Sequence, residues 1–344
     1  MRVLAAAVLF VVIASTVRAQ TAPVVNNVRA SQRADASRLV DIYYDLTHNA
    51  PCTVWPVVSG DGGATWNVPA LTLTGNVGHN VAPGPDRHIV WDAGRDIPGV
   101  AATMRARVFA DDGGTLSNMV FVAAGSFPYQ RSSSWTYVDS FFIDKYEVTN
   151  VRYAEFLNDA DPDGEHWALC MEITRSAPPN VFYTVPFGRE NYPARCVSAL
   201  DADAFAAWLS EREGRTFRLP TQQEWEKAAA WDPTINKYWT YAFQSDSISC
   251  ADANVFVNVY CIGAPTEVGR YNGVTPETND AKSYYGAYDM TGNVFEWTAT
   301  GCGPTCRIIR GGGWNNLYKT YESRSAGTAS PDGTIGFRLV LDPN

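Results

Sequence analysis

The chain has 344 residues, 46% of them hydrophobic and 18% charged, a balance that excludes a mainly disordered or fibrous protein and leaves room for two or three domains. Lys+Arg of 27 against Asp+Glu of 36 gives a formal charge of −9, with no basic run. Phosphate contacts need clustered Lys and Arg, so no nucleic-acid partner is expected, and four histidines supply little for a His-rich metal centre.

Residues 1–19 have the layout of a secretory signal peptide: Arg2, an apolar run from Val3 to Val17, then Val17-Arg18-Ala19 as a small-residue cleavage end. The run is about fifteen residues where a spanning helix needs roughly twenty. Cleavage after Ala19 is therefore expected, giving a secreted or periplasmic protein with no membrane span. Without Arg2 and Arg18 the charge becomes 25 − 36 = −11.

In an oxidising compartment near cysteine pairs become disulfides. Cys302 and Cys306 in GCGPTC, Cys250 with Cys261, and Cys170 with Cys196 are the pairs that spacing suggests, leaving Cys52 over. Connectivity does not follow from sequence alone. Zinc is disfavoured, because no second CxxC or nearby His completes four ligands.

Residues 20–114 read as an all-β module. Runs at Leu39–Leu46, Cys52–Val58, His88–Trp91 and Met104–Phe109 are β-branched and aromatic, with Gly, Pro, Asp and Asn between them. Such spacing predicts a β-sandwich of fibronectin or immunoglobulin type. Within it Ser59-Gly-Asp-Gly-Gly-Ala-Thr-Trp66 resembles an Asp-box, read here as a structural turn. Asp61 would accept backbone N–H bonds, Gly63 would take a conformation other residues resist, and Trp66 would bury below. The boundary is expected at Asp111-Asp112-Gly113-Gly114.

Residues 118–342 change character and hold eight of the eleven tryptophans. Ser198 with Asp201, and Thr221 with Glu224, predict capping boxes that open helices. The first would bury Phe205, Trp208 and Leu209 and stop at Gly214, and the second would carry Trp225, Ala228 and Ala229 on one face. A further helix is expected after Thr149 and Asn150, burying Tyr153, Phe156 and Leu157. Six motifs follow in order: Met119–Phe127 (MVFVAAGSF), Phe142–Asn150 (FIDKYEVTN), Arg218–Glu226 (RLPTQQEWE), Tyr288–Trp297 (YDMTGNVFEW), Arg310–Trp314 (RGGGW) and Gly336-Phe337-Arg338.

This series resembles the sulfatase-modifying factor family, which includes the formylglycine-generating enzyme, over nearly all of the second domain. The resemblance implies an α+β, loop-rich fold related to C-type lectins. It also implies oxidation of a sulfatase cysteine to formylglycine by oxygen and copper, held on two cysteine thiolates near the chain end. A soft thiolate pair suits Cu(I). Counting back from Arg324 puts the two slots at Tyr321 and Asn316, and no cysteine follows Cys306. Copper and formylglycine chemistry are therefore not expected, and Cys302 and Cys306, which precede RGGGW, are expected to bridge instead. Iron enzymes of the superfamily need a histidine cluster, and this domain has only His166. No G-x-S-x-G supports a hydrolase.

The resemblance further implies structural calcium. Asp289 would give a carboxylate, Met290, Gly292 and Val294 carbonyls, and Glu296 would assist, with Asn254 and Val255 marking a weaker second site. Arg310, Arg324 and Arg338 with Trp314 are read as core fixtures, since Arg forks satisfy buried carbonyls. The expected function is a non-catalytic binding or structural module for an unidentified protein or glycan, with loops 238–285 and 313–334 as the contact face. The alternative is a formylglycine-generating oxidoreductase.

Overall fold

The computed structural model describes residues 23–63, 68–98, 104–111, 118–329 and 331–342. The expected signal peptide, Trp66 and the boundary residues after Asp111 lie outside the described residues.

Seven strands come first: β1 (Val24–Gln32), β2 (Leu39–Thr47), β3 (Cys52–Ser59), β4 (Leu73–Gly75), β5 (Gly78–Val81), β6 (Gly84–Asp92) and β7 (Arg105–Asp111), with the short helix α1 (Ala93–Asp96) after β6. They form one sheet in the order β1-β2-β6-β4 and another in the order β5-β3-β7. Period-two alternation makes β2 a one-sided strand: Ile42, Tyr44 and Leu46 are buried while the residues between them face outward. Both sheets feed one apolar cluster, with Ile42, Ile89 and Trp91 from the first and Val54, Val81 and Val108 from the second. The four predicted strands are present, each somewhat longer than its apolar run. β1, β4 and β5 were not foreseen; β1 is mostly exposed and β4 and β5 are very short, so neither shows a clear pattern. The Ser59 hydroxyl accepts from Gly63 N at 2.7 Å and Asp61 N at 3.3 Å, and donates to Asp61 Oδ1 at 2.7 Å.

The rest of the chain is mostly β with few helices. Strands β8 (Met119–Val122), β9 (Gly125–Phe127), β10 (Thr136–Val138) and β11 (Phe141–Asp144) lead into helix α2 (Asn150–Ala160). A small hairpin, β12 (Thr174–Arg175) and β13 (Tyr183–Thr184), precedes helix α3 (Ala199–Glu213), strand β14 (Phe217–Arg218) and helix α4 (Gln222–Ala230). After β15 (Trp231–Asp232) and β16 (Lys237–Tyr238) comes a long loop region, then β17 (Phe295–Gly303), β18 (Cys306–Arg310), β19 (Arg324–Gly327), β20 (Ile335–Gly336) and β21 (Val340–Leu341). One sheet has the order β14-β21-β11-β8 and another β19-β18-β17-β20.

All three predicted helices form. Capping boxes on Ser198/Asp201 and Thr221/Glu224 satisfy the first orphan N–H groups of α3 and α4. Gly214 ends α3 at φ 63, a left-handed cap that glycine takes without strain. The apolar faces of α2 and α3 meet where Tyr153 and Phe156 pack on Phe205, with ring centroids 5.8 and 5.7 Å apart, and Phe337 closes the cluster at 5.3 Å from Phe205. Trp208 is only half-buried, because its indole N–H reaches Asp159 at 2.7 Å. On β3, Trp55 turns away from its own sheet and meets Phe142 of β11 edge-on at 5.4 Å.

Bridges join Cys170 to Cys196, Cys250 to Cys261 and Cys302 to Cys306, with Cα–Cα separations of 5.8, 5.1 and 5.1 Å. Cys52 is buried in the first cluster, where its thiol donates to the Ala50 carbonyl at 3.4 Å.

Candidate functional site

The loop from Asp289 to Glu296 is built from left-handed residues: Asp289 at φ 58, Gly292 at φ 89 and Asn293 at φ 56. Only glycine serves at the second of these, because a Cβ there would run into the Asn254 carbonyl and the Val255 side chain. The loop is thereby pressed onto the Asn254–Val255 segment, and the two expected calcium sets converge. Asn293 N donates to the Asn254 carbonyl at 2.9 Å. The Asn293 side chain accepts from Thr266 N and donates to Glu147 Oε2, each at 2.9 Å. Asp289 Oδ2 accepts from Gly269 N at 2.5 Å.

Behind the loop lies a charged core. Glu296 and Arg338 are both fully buried, and the guanidinium grips the carboxylate through Nε at 2.7 Å and Nη2 at 2.6 Å. Trp225 Nε1 adds a third donor to Glu296 at 2.7 Å. The remaining Arg338 N–H groups go to the Tyr288, Asp144 and Lys145 carbonyls at 2.8, 3.0 and 3.3 Å. Three buried carboxylates thus face one guanidinium. Burial pushes Asp289 up to about 6, with Gly269 N–H and Arg338 acting against the rise. Burial, then the Asp289 and Glu296 charges, push Glu147 well above the usual carboxylate range. For Arg338 the sign of burial is reversed, but the carboxylates more than offset it and hold the guanidinium charged.

Calcium takes six to eight oxygens, carbonyls among them. Besides the Asp289 carboxylate and the turn carbonyls, two buried side-chain oxygens here have no hydrogen-bond partner, Glu147 Oε1 and Asn254 Oδ1. Excess negative charge and orphaned acceptors fit a hard cation. Glu296 differs from the other candidates, since both its oxygens already accept hydrogen bonds. Among the described residues no three His, Cys, Asp or Glu side chains gather as a metal cluster. Any calcium held here would therefore rest largely on carbonyl oxygens.

A second buried pair, Arg310 with Glu226 at 2.7 Å, lies under α4. Tyr238 OH donates to Glu226 at 2.8 Å and Gln130 N donates to the same oxygen. Burial raises the Glu226 carboxyl, and Arg310 opposes this. Arg310 and Arg338 are core fixtures, each holding backbone carbonyls as well as its carboxylate. Arg324 is exposed and lies over the Phe295 ring at 5.8 Å. Glu147 and Glu226 were missed as site residues, although each stands in a recognised motif. Neither stood out, because each has charged neighbours in the chain, Asp144 and Lys145 near Glu147 and Glu224 and Lys227 near Glu226.

The residues at the expected copper slots do not suit the metal. Asn316 uses its carbonyl oxygen to accept from Gly313 N at 2.9 Å and its amide to reach Asn315 at 3.0 Å. Tyr321 lies beside Tyr238, ring centroids 6.4 Å apart, under the Arg131 guanidinium at 5.5 Å. Neither an amide nor a phenol replaces a thiolate for Cu(I). Cys302 and Cys306 are bonded to each other. The His166 ring bonds Asp201 at 2.9 Å and packs on Phe156.

A mostly β, loop-rich domain pinned by two buried Arg–Glu pairs and a left-handed loop defines the class. Residues 105–343 match the model of the family described as "Sulfatase-modifying factor enzyme 1-like domain", and the chain belongs to that family. The match starts inside β7, before the expected boundary. The chain is 30% identical over 241 residues to "Hercynine oxygenase" of Mycolicibacterium smegmatis, covering 64% of this chain and 51% of that protein. It is also 30% identical over 210 residues to "Inactive C-alpha-formylglycine-generating enzyme 2" of Mus musculus, covering 52% of this chain and 64% of that protein. The chain thus spans about half to two thirds of these relatives. Among solved structures, "Crystal Structure of CarF" superposes with a TM-score of 0.51 at 21% identity, covering 66% of this chain and 98% of that one, a likeness of fold.

Proposed function

We propose that this chain is an exported binding module whose sulfatase-modifying-factor domain has kept the scaffold and lost the oxidase. The observation that carries this is chemical. The family's thiolate slots fall at Asn316 and Tyr321, and no cysteine follows Cys306. The relative named inactive supports a scaffold used without that chemistry. The alternative, copper- and oxygen-dependent oxidation of a sulfatase cysteine, would require Cys302 and Cys306 as free thiolates, whereas they are bridged. The test is copper content of the purified protein together with aldehyde formation in a sulfatase-type cysteine peptide. Neither should be found. Stoichiometric copper with aldehyde that vanishes in the Cys302→Ser, Cys306→Ser variant would overturn the reading.

The first 19 residues act in this reading as a cleaved secretion signal, and the two amino-terminal sheets as a fibronectin- or immunoglobulin-type sandwich that presents a C-type-lectin-like domain. The Ser59–Trp66 Asp-box serves as a turn of that sandwich. Structural calcium is held by Asp289 and the carbonyls of Met290, Gly292 and Val294, with Glu147 and Asn254 supplying the orphaned oxygens. Glu296 contributes through charge. Calcium at millimolar level should raise the unfolding midpoint, and Asp289→Ala should remove that rise. An identical midpoint with calcium and with chelator would count against the site. The contact face lies on loops 238–285 and 313–334.

A further inference from the structure

Of the three bridges described, two fasten irregular chain and one does not. Cys170 and Cys196 stand 26 residues apart, with Cys196 buried and left-handed at φ 62. Cys250 with Cys261 closes the loop that carries Asn254 and Val255, which no strand ladder spans. Cys302 and Cys306 are four residues apart across the turn from β17 to β18, and the ladder already closes that turn. Glu296 pairs with Arg310, Trp297 with Ile309, Gly301 with Arg307 and Gly303 with Cys306. On its other side β18 pairs with β19, from Cys306 opposite Gly327 to Ile309 opposite Arg324. Thr328 N donates to the Thr305 carbonyl at 3.0 Å, and the Arg307 guanidinium ties the strand to Asp203 of α3 at 3.0 and 2.6 Å. A cross-link stabilises by restricting the unfolded chain, an effect that grows with the loop it closes, so this bridge adds the least.

The bridge is also open to attack. Residues 301–305 are all exposed and Cys306 is half-buried, whereas Cys196 has no solvent exposure. Cys250 is exposed as well, but its bridge is the fastening of its loop. Gly303 faces Cys306 across the ladder. Its backbone is not left-handed, and a Cβ there would meet nothing nearer than Cys306 Cβ at 4.0 Å. Neither conformation nor space demands glycine at this position. Its effect is to leave one flank of the disulfide bare, and exposed disulfides are the labile ones.

We propose that Cys302–Cys306 is a thiol–disulfide exchange site that takes a dithiol as its partner and cycles without a change of fold. A thiolate of the partner attacks the more exposed sulfur, Cys302 Sγ. The bond to Cys306 breaks, a mixed disulfide forms, and the Cys306 thiolate takes up a proton. The partner's second thiol then displaces Cys302, which is protonated in turn. Two electrons and two protons have moved: the partner leaves as a disulfide and the hairpin carries two thiols. The ladder keeps the two residues opposed, at a Cα separation of 5.1 Å, so a small disulfide can close the bridge again by the reverse steps. This goes beyond the binding-module reading and does not depend on it.

The experiment is graded reduction of the folded, full-length protein with dithiothreitol, stopped at intervals by alkylation and read by mass spectrometry at each cysteine. Cys302 and Cys306 should be labelled at least about tenfold faster than Cys250 and Cys261, with Cys196 slower still. The protein opened only at this bridge should melt within about 2 °C of the oxidised form, and oxidised glutathione should restore the bond. The Cys302→Ser, Cys306→Ser variant should melt with the wild type and lack the fast phase of dithiol consumption. Gly303→Val should melt with the wild type and slow that phase several-fold, because the added side chain covers the sulfur. Labelling no faster than at Cys250 and Cys261, a fall in melting point on opening, a fast phase that survives in the double variant, or an unchanged rate in Gly303→Val would overturn the proposal. The aldehyde assay separates the two readings. Exchange without aldehyde in the sulfatase-type peptide leaves the binding module standing, whereas aldehyde sinks that reading and not this one.

Discussion

Glu296 and Arg338 form a bidentate ion pair with no solvent exposure on either side chain. Removing one partner leaves an uncompensated buried charge, which costs about 3–5 kcal/mol. Glu296→Gln and Arg338→Met should each lower the unfolding free energy by that order in denaturant titrations. The double variant Glu296→Leu, Arg338→Met should be less damaging than the sum of the two, because the charges leave together. It should still fall below wild type, since the Tyr288 and Asp144 carbonyls lose their donor.

Lys227 is buried in α4 and donates to the carbonyls of Ala123 at 2.6 Å, Gly125 at 2.9 Å and Val138 at 3.3 Å. Burial pushes its ammonium down to about 7. In the unfolded chain the group holds its proton to its ordinary value of 10.5. Between these limits the unfolded state binds more protons, so this residue makes stability rise as pH climbs from about 7 toward 10. Lys227→Met should lose that slope, read from unfolding free energies across the same range, and should cost about 2 kcal/mol at neutral pH through the orphaned carbonyls.

On the amino-terminal sheet Asp41 accepts from Arg33 at 2.8 Å and lies 2.7 Å from His88 Nε2. The Arg33 hydrogen bond, with help from His88, holds its carboxyl down at about 2. A depressed acid stabilises above its unfolded value of 3.8, and that contribution fades as pH falls toward 2. Solvent screening keeps it to about 1 kcal/mol or less. Asp41→Asn should be less stable than wild type at neutral pH and converge with it near pH 2, a comparison thermal melts would settle.

Gly292→Ala tests the loop that joins the two candidate calcium segments. The substitution meets both a left-handed backbone and the Asn254 carbonyl. It should destabilise by about 1–3 kcal/mol. Gly214→Ala, at a cap with open space around it, should cost less. Equal losses in the two variants would show that strain alone matters and that the close approach to Asn254 does not.

The second domain was legible because its helices are bounded by local chemistry. Ser198, Thr221 and Gly214 announce α3 and α4 through hydrogen bonds made within a few residues, and such signals survive without tertiary context. The strands that carried alternating apolar residues, such as β2, were equally readable, while β4, three residues at a sheet edge, was not. The buried pairs were half visible. Arg310 and Arg338 were read as core groups, as was Arg324, which is exposed, yet Glu226 and Glu296 lie 84 and 42 residues away from the two that are buried. Spacing carries no information on such partners. Arg131 gave no signal at all, because its placement depends on a strained turn held by a carboxylate 96 residues from Gln130.

The sheet order β14-β21-β11-β8 puts Val340 and Leu341 in an interior lane, between residues made more than a hundred positions earlier. The ribosome must therefore release the chain through Leu341 before this layer can close. Until then Phe142 and Phe217 wait with open ladders beside them, a stretch of time in which a chaperone can hold the polypeptide unfolded. A frameshift or nonsense codon just upstream of Val340 would not trim an ornament; it would leave the layer split down its middle.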